Sequence, residues 1–271
     1  MIDEAHDFLN ESSAMHALLS PLAATDYTRP TQFKSWTVNA VLQHLHFFNL
    51  AAVYSLQDPA RFDALYASLQ EKRQNGLSTV AATDELLQGV RGHALLKLWK
   101  EGFAQTAAAF SEADPRQRVK WVGPNMSARS SISARLMETW AHGQAIYDLL
   151  GVVRSNTDRI RSIAMIGVNT YEWTFRNRGE DIPLPKPFIR LTAPSGAIWQ
   201  WNDASAQHCI EGLAEEFCQV VTQVRNIEDT QLRVLGGSAT RWMAVAQCFA
   251  GPVEAPPPAG TRRVHAASRD L

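Results

Sequence analysis

Residues 134–151 read ARLMETWAHGQAIYDLLG, and the spacing of their apolar side chains decides the fold. Ile132, Leu136, Trp140 and Tyr147 recur at helical intervals, and a second stripe runs through Arg135, Glu138, His142, Ala145 and Leu149, so most of the helix circumference is predicted to be covered. Glu138 and His142 are four residues apart and therefore share one face. Taking a carboxylate out of water is disfavoured by roughly several kcal/mol unless a charge or hydrogen bonds compensate it, and a divalent cation is one such compensator. The plain alternative is a Glu–His pair that hydrogen-bonds on a helix surface. A third ligand from another element separates the two readings, because open catalytic metal sites use three protein ligands and leave a position for water or substrate.

The candidates for that third ligand lie in VLQHLHFFNLAA, residues 41–52. Residues two apart on a helix point about 200° apart, so His44 and His46 are expected to face opposite ways. His44 shares its stripe with Ala40, Val41, Phe47, Phe48 and Ala51 and is predicted to point inward; His46 shares its stripe with Asn39, Gln43 and Asn49 and is predicted to point outward. A single histidine on an apolar face also serves as an ordinary core residue. Thr37 is a natural N-cap for this helix, and Trp36 before it is placed to staple against Val41.

Working outward, helical periodicity predicts helices over 3–19, 38–56, 59–73, 84–112, 130–150 and 158–178, a helical bundle occupying residues 1–180. RGEDIPLPKP then reads as a connector, and FIRLTAP and AIWQWND alternate like strands about a Pro-Ser-Gly turn. A helix over 206–224, a strand at TQLRVLGG and a helix over 238–249 complete a small α+β domain, residues 181–251. The fold class is therefore α plus α+β. The stretch 252–271 has too little apolar content to order itself and is expected to be a disordered tail.

Composition narrows the function. Forty-five per cent of the 271 residues are apolar, enough for a proper core, while a formal charge of −1 with no block of Lys or Arg excludes an electrostatic grip on nucleic acid or anionic lipid. MIDEAHDFLNESS lacks the order of a signal peptide, and no apolar run reaches the roughly 18 residues of a membrane span, so a cytoplasmic protein is expected. Cys209, Cys218 and Cys248 are too few and too widely spaced for a disulfide framework, a structural zinc site or an iron–sulfur cluster.

These residues carry a resemblance. SWTVNAVLQHLHF, with histidine eight residues after tryptophan, and ARLMETWAHGQAIYDLLG, with Glu and His four apart, are similar to the two signatures of the DinB-like bundles that include mycothiol-dependent maleylpyruvate isomerase. The resemblance implies a DinB-like four-helix bundle and a metal triad of His44, Glu138 and His142. FIRLTAPSGAIWQWND and SATRWMAVAQCFAGP resemble the sterol-carrier-like α+β domain that often follows such bundles. Many relatives place an acid three positions after the second histidine; here Ala145 stands there, with Asp148 a turn later.

A carboxylate and two imidazoles suit zinc, nickel, iron or manganese, and zinc is favoured. The resemblance implies an isomerase or thiol S-transferase in which the metal activates mycothiol or glutathione against a small electrophilic or unsaturated acid, with Arg135, one turn before Glu138, as the guanidinium that clamps the substrate. An intrahelical ion pair with Glu138 is the structural alternative for Arg135. Two other functions stay open: a metal–water hydrolase or hydratase, for which Asp148 and His93 are the available bases, and a non-catalytic carrier holding an apolar ligand beside Trp199 and Trp201. A homodimer is compatible with all three.

Overall fold

The computed structural model describes residues 2–264. The first unit ends at Ile146 and the second begins at Tyr147.

In the first unit, α1 (Asp3–Leu19), α2 (Val38–Gln57), α3 (Pro59–Gln74), α4 (Thr79–Leu86) and α5 (Gly92–Ser111) precede a pair of two-residue strands, β1 (Arg118–Val119) with β2 (Met126–Ser127), and then α6 (Ala128–Leu150), which belongs to this unit up to Ile146. Helix α2 starts where expected, Thr37 Oγ1 accepting from the Ala40 amide at 3.1 Å. It stops at Asp58, whose carboxylate caps α3 while Pro59 takes the first helical position, so the chain turns on one residue. The helix expected over 84–112 is broken, because Gln88 and Gly89 adopt left-handed φ of 55° and 66° and separate α4 from α5. Helices α1, α2, α5 and α6 form the bundle: α5 packs on α1 and α2, Glu4 of α1 meets Arg129 of α6, and His44 and Asn49 of α2 reach α6.

Helix α2 lies at the centre and is covered on all sides. Ala40, Val41, Phe47, Phe48 and Ala51 are buried, as expected, but so are Asn39, Gln43, His46 and Asn49, the stripe whose polarity reads as a solvent face. Asn39 Oδ1 accepts the Gly92 amide at 2.7 Å and fixes the start of α5, and Gln43 bonds to the Val90 carbonyl and to Asp84.

In the second unit, α7 (Arg161–Asn169) and α8 (Tyr171–Arg176) precede β3 (Phe188–Thr192), β4 (Ile198–Trp201), β5 (Cys209–Leu213), α9 (Ala214–Val221), β6 (Arg233–Leu235) and α10 (Gly237–Met243). The sheet order is β4-β3-β5-β6, with β3–β5 parallel and the outer pairs antiparallel. The helix expected over 206–224 begins only at Ala214; Cys209–Leu213 is instead a strand, and its Gly212 sits at φ 150° against Leu232, where a Cβ would collide. The compact division precedes the connector at 178–187, where the sequence suggests the boundary. Its physical reason is packing: Gly167 lets α7 lie flush on Val221 and Phe217 of α9, and Tyr171 of α8 meets Trp242 edge-on at 4.9 Å. Trp199 is buried and Ile198 and Gln200 are exposed, the alternation of a one-sided sheet.

Residues 252–264 differ from the disorder expected of them. Asn226 donates to the Pro257 carbonyl, Asp229 accepts the Gly260 amide, Arg262 donates to the Gln223 carbonyl, and Pro257 is buried. Prolines lose little conformational freedom on ordering, so backbone hydrogen bonds suffice where apolar content is low. The rest of the expected tail, 265–271, lies outside the described residues. The three cysteines are buried and form no disulfide, and among the described residues no helix is long and apolar enough to cross a membrane.

Candidate metal centre

His44, Glu138 and His142 come together. His44 Nε2 lies 3.2 Å from Glu138 Oε2, and His142 Nε2 lies 3.1 Å from the same oxygen. All three ligand atoms fall within 4.8 Å of one another. Metal–ligand bonds of roughly 2.0–2.1 Å at tetrahedral angles put ligand atoms about 3.3 Å apart, so both contacts to Glu138 already match an edge of such a polyhedron. The donor set fits a divalent cation. The three side chains are 14, 23 and 12% exposed, so the point they share is accessible from one side.

Electrostatics favour the ligating forms. Burial pushes the His44 pKa down to about 4, against the hydrogen bond to Glu138, so the imidazole is neutral at neutral pH. Burial pushes Glu138 up, but its hydrogen bonds to His142 and His44 outweigh this and hold the carboxyl well below its usual range. The centre is thus one carboxylate and a neutral imidazole from α2, completed by His142.

Aromatic rings, more than hydrogen bonds, fix the orientation of the histidines. His44 Nδ1 is buried with no hydrogen-bond partner, so no carboxylate or carbonyl holds that ring from behind as is usual for metal-bound histidine. Instead Phe48 and Trp36 stand 4.8 and 5.3 Å from it. Trp36 also stacks on His142 at 5.4 Å and 9°, and Phe33 meets His142 edge-on at 5.0 Å. Both rings come from a tight turn in which the Trp36 amide donates to the Phe33 carbonyl and Lys34 and Ser35 take φ of 50° and 56°. This pair of positive φ values is the signature of a type I′ hairpin. Phe33 is the functional candidate the sequence does not reveal, since QFKSW contains neither Asn nor Gly to mark such a turn; Trp36, expected to staple against Val41, stands against both histidines.

The other predicted positions sort clearly. His46 does not join the triad, but neither does it face solvent: it is 7% exposed and packs on α5 at Gly102, where a Cβ would lie 2.8 Å from its Nδ1. Arg135 is 2% exposed and makes no ion pair among the described residues; its Nε donates to Asn49 Oδ1 at 3.1 Å, with Glu138 acting on it only at longer range. Burial pushes its pKa down to about 10. Asp148 is held by Arg225 in two hydrogen bonds of 2.7 and 2.8 Å, and His93 is exposed, with Nε2 3.0 Å from the Leu22 carbonyl. Neither belongs to the centre.

Two Mycobacterium tuberculosis proteins, uncharacterized protein MT0041 of strain CDC 1551 / Oshkosh and uncharacterized protein Rv0036c of strain ATCC 25618 / H37Rv, are each 35% identical to this chain over 246 residues, 91% of it and 95% of them. Crystal structures of the mycothiol-dependent maleylpyruvate isomerase and of its histidine-to-alanine mutant are similar over 80% of this chain and 87% of theirs, at 16% identity and TM-scores of 0.50 and 0.49, a likeness of fold. The family described as the mycothiol maleylpyruvate isomerase N-terminal domain matches residues 8–147, a span that contains His44, Glu138, His142, Arg135 and the Phe33–Trp36 turn. Matched over more than half its length, the chain belongs to that family.

Proposed function

We propose that the protein is a divalent-metal-dependent enzyme of the maleylpyruvate isomerase and thiol S-transferase type, in which a low-molecular-weight thiol, mycothiol or glutathione, adds to a small electrophilic or unsaturated acid. The observation that carries this is the convergence of one carboxylate and two imidazoles on a point open to solvent, in a chain of this family. Zinc is the metal favoured here, and nickel, iron and manganese suit the same donor set. His44, Glu138 and His142 would hold the dication, which would supply the chemistry of lowering a thiol's pKa to give a thiolate at neutral pH.

The chain's own side chains do the rest. Neutral His44 and ionised Glu138 leave the centre positive once a dication is held, which favours an anionic sulfur over water. Phe33, Trp36 and Phe48 exclude water from the flanks of the histidines, so a thiolate there is poorly solvated and reactive. Arg135 is the cation nearest the triad along α6 and is assigned to the carboxylate of the acid. The reading in which water is the nucleophile lacks a base, because Asp148 is committed to Arg225 and His93 lies elsewhere. A carrier role is disfavoured by Trp199, which is buried in the core of its unit.

Elemental analysis of purified protein should find about one divalent metal per chain, lost in His44→Ala and retained in His46→Ala. The cobalt-substituted protein should then develop a sulfur-to-metal charge-transfer band on addition of mycothiol or glutathione. Equal metal content in both histidine variants, or no band at saturating thiol, defeats the reading.

A further inference from the structure

A guanidinium taken out of water needs charge and hydrogen bonds returned to it. Arg135, 2% exposed, has received only one hydrogen bond, to Asn49. Nε and Nη2 form one edge of the guanidinium fork. The Asn49 carbonyl occupies the Nε half, and Nη2 is buried with no acceptor. The Nδ2 amide of Asn49, itself fully buried, is in the same condition. Turning Asn49 over would bring its NH₂ against Nε, so this hydrogen bond fixes which of its groups is left over. Two adjoining side chains are thus locked together with Nη2 and Nδ2 unused and one positive charge met by no ion pair, only by Glu138 at longer range. Phe48 neighbours both this pair and the triad: its ring lies 5.9 Å from the Arg135 guanidinium carbon and 4.8 Å from the His44 ring.

We propose that Arg135 Nη2 and Asn49 Nδ2 form the anchor for a carboxylate, one helical turn from the candidate metal centre. A carboxylate answers both needs, since its two oxygens accept from two donors and its charge balances the guanidinium; a neutral carbonyl leaves the charge uncompensated. The acid handled at this site is then held by its carboxylate near α2 and α6, with its reactive carbon toward the triad. Asn49 is a positioning residue as well as a donor, because it sets the rotation of the Arg135 fork. The assignment rests on the functional reading above for the role of the site, and the two are tested by separate measurements.

The full-length protein, treated with chelator so that no metal competes for the ligand, is titrated with acetate and with succinate in chloride-free buffer, by calorimetry and thermal midpoint. Wild type should bind succinate saturably, Arg135→Gln at least tenfold more weakly, and Asn49→Ala about three- to tenfold more weakly. Asn49→Asp supplies an internal carboxylate to Arg135, so it should raise the thermal midpoint without ligand and lose the succinate response. That variant keeps the test decisive if Arg135→Gln does not fold. Equal succinate affinity in wild type and Asn49→Asp, or no saturable response in wild type, overturns the anchor. The cobalt–thiol band reports separately: a band without Arg135-dependent carboxylate binding sinks the anchor and leaves the thiol reading, and Arg135-dependent binding without a band does the reverse.

Discussion

Two buried arginines divide the molecule's two regions. Arg225, in the second unit, grips Asp148 through two hydrogen bonds of 2.7 and 2.8 Å. Its neighbours behave likewise: Gln247 accepts the Glu254 amide and donates to the Pro252 carbonyl, Gln223 donates to two carbonyls, and Thr222 bonds back to Cys218. Arg135, in the bundle, has one amide for company, and Ser12 Oγ, His46 Nδ1, Trp99 Nε1, Ser131 Oγ and Thr139 Oγ1 are buried near the same helices without partners. Buried polar groups are normally satisfied, so a region that leaves several open is built for something besides its own stability. Closed polar groups predominate in the second unit, with Glu216 Oε2 a buried exception, and open ones are more numerous in the bundle that holds the candidate metal centre.

The sharpest way to break this contrast is to remove each cation. Arg225→Ala strands a buried carboxylate and should lower the unfolding free energy by about 3–5 kcal/mol in urea or guanidinium titrations. Arg135→Met removes a cation that no carboxylate pairs, and should leave stability unchanged or raise it by roughly 1 kcal/mol or more while abolishing succinate binding. Comparable losses in the two variants would mean that both arginines are structural.

Much of the bundle was legible because its signals are local. Thr37 marks the start of α2, Pro59 the start of α3, and the four-residue spacing of Glu138 and His142 survives any arrangement of the helices. What escaped depends on long-range packing. His46 looked outward because Asn39, Gln43 and Asn49 share its stripe, yet α3, α4 and α5 surround α2 and turn that stripe into an internal polar seam, each amide meeting a backbone or side-chain partner far along the chain. The strand at Cys209–Leu213 likewise exists because β3 pairs with it, overriding a sequence that continues smoothly into α9. The Phe33–Trp36 turn was invisible because its two left-handed positions carry Lys and Ser.

His46 offers a gentler probe of the open region. Burial pushes its pKa below the ordinary 6.5, with Glu101 opposing. The unfolded chain therefore takes up this proton at a higher pH than the folded one. The sign follows: stability is full above about 6.5 and falls as the pH drops below it, until the folded histidine itself protonates. In metal-free protein, His46→Gln should reduce the loss of thermal midpoint between pH 7 and pH 5 relative to wild type. An unchanged pH dependence would show that the seam tolerates a charge there, and the contrast with the second unit would weaken.

The smallest effect concerns the backbone. In the second unit the left-handed residues Asn202 and Gln223 are tied by their side-chain amides to the carbonyls of Pro187 and of Ala246 and Glu254. In the bundle, Lys34 and Ser35 hold the same conformation side by side at an exposed tip, and there the strain supports the two rings placed over His142. A left-handed non-glycine residue costs roughly 1–2 kcal/mol, part of which glycine returns through the greater freedom it gives the unfolded chain. Ser35→Gly should therefore stabilise the protein by about 0.5–1 kcal/mol in denaturant titrations, whereas Asn202→Gly should give no gain because Asn tolerates the region and its amide bond is lost. If Ser35→Gly also loosens the cover over His142, metal release on chelator challenge should quicken even as the fold gains stability. That opposition, stability up and retention down, is the behaviour expected of strain kept beside a binding site, and a turn that merely joined α1 to α2 would not show it.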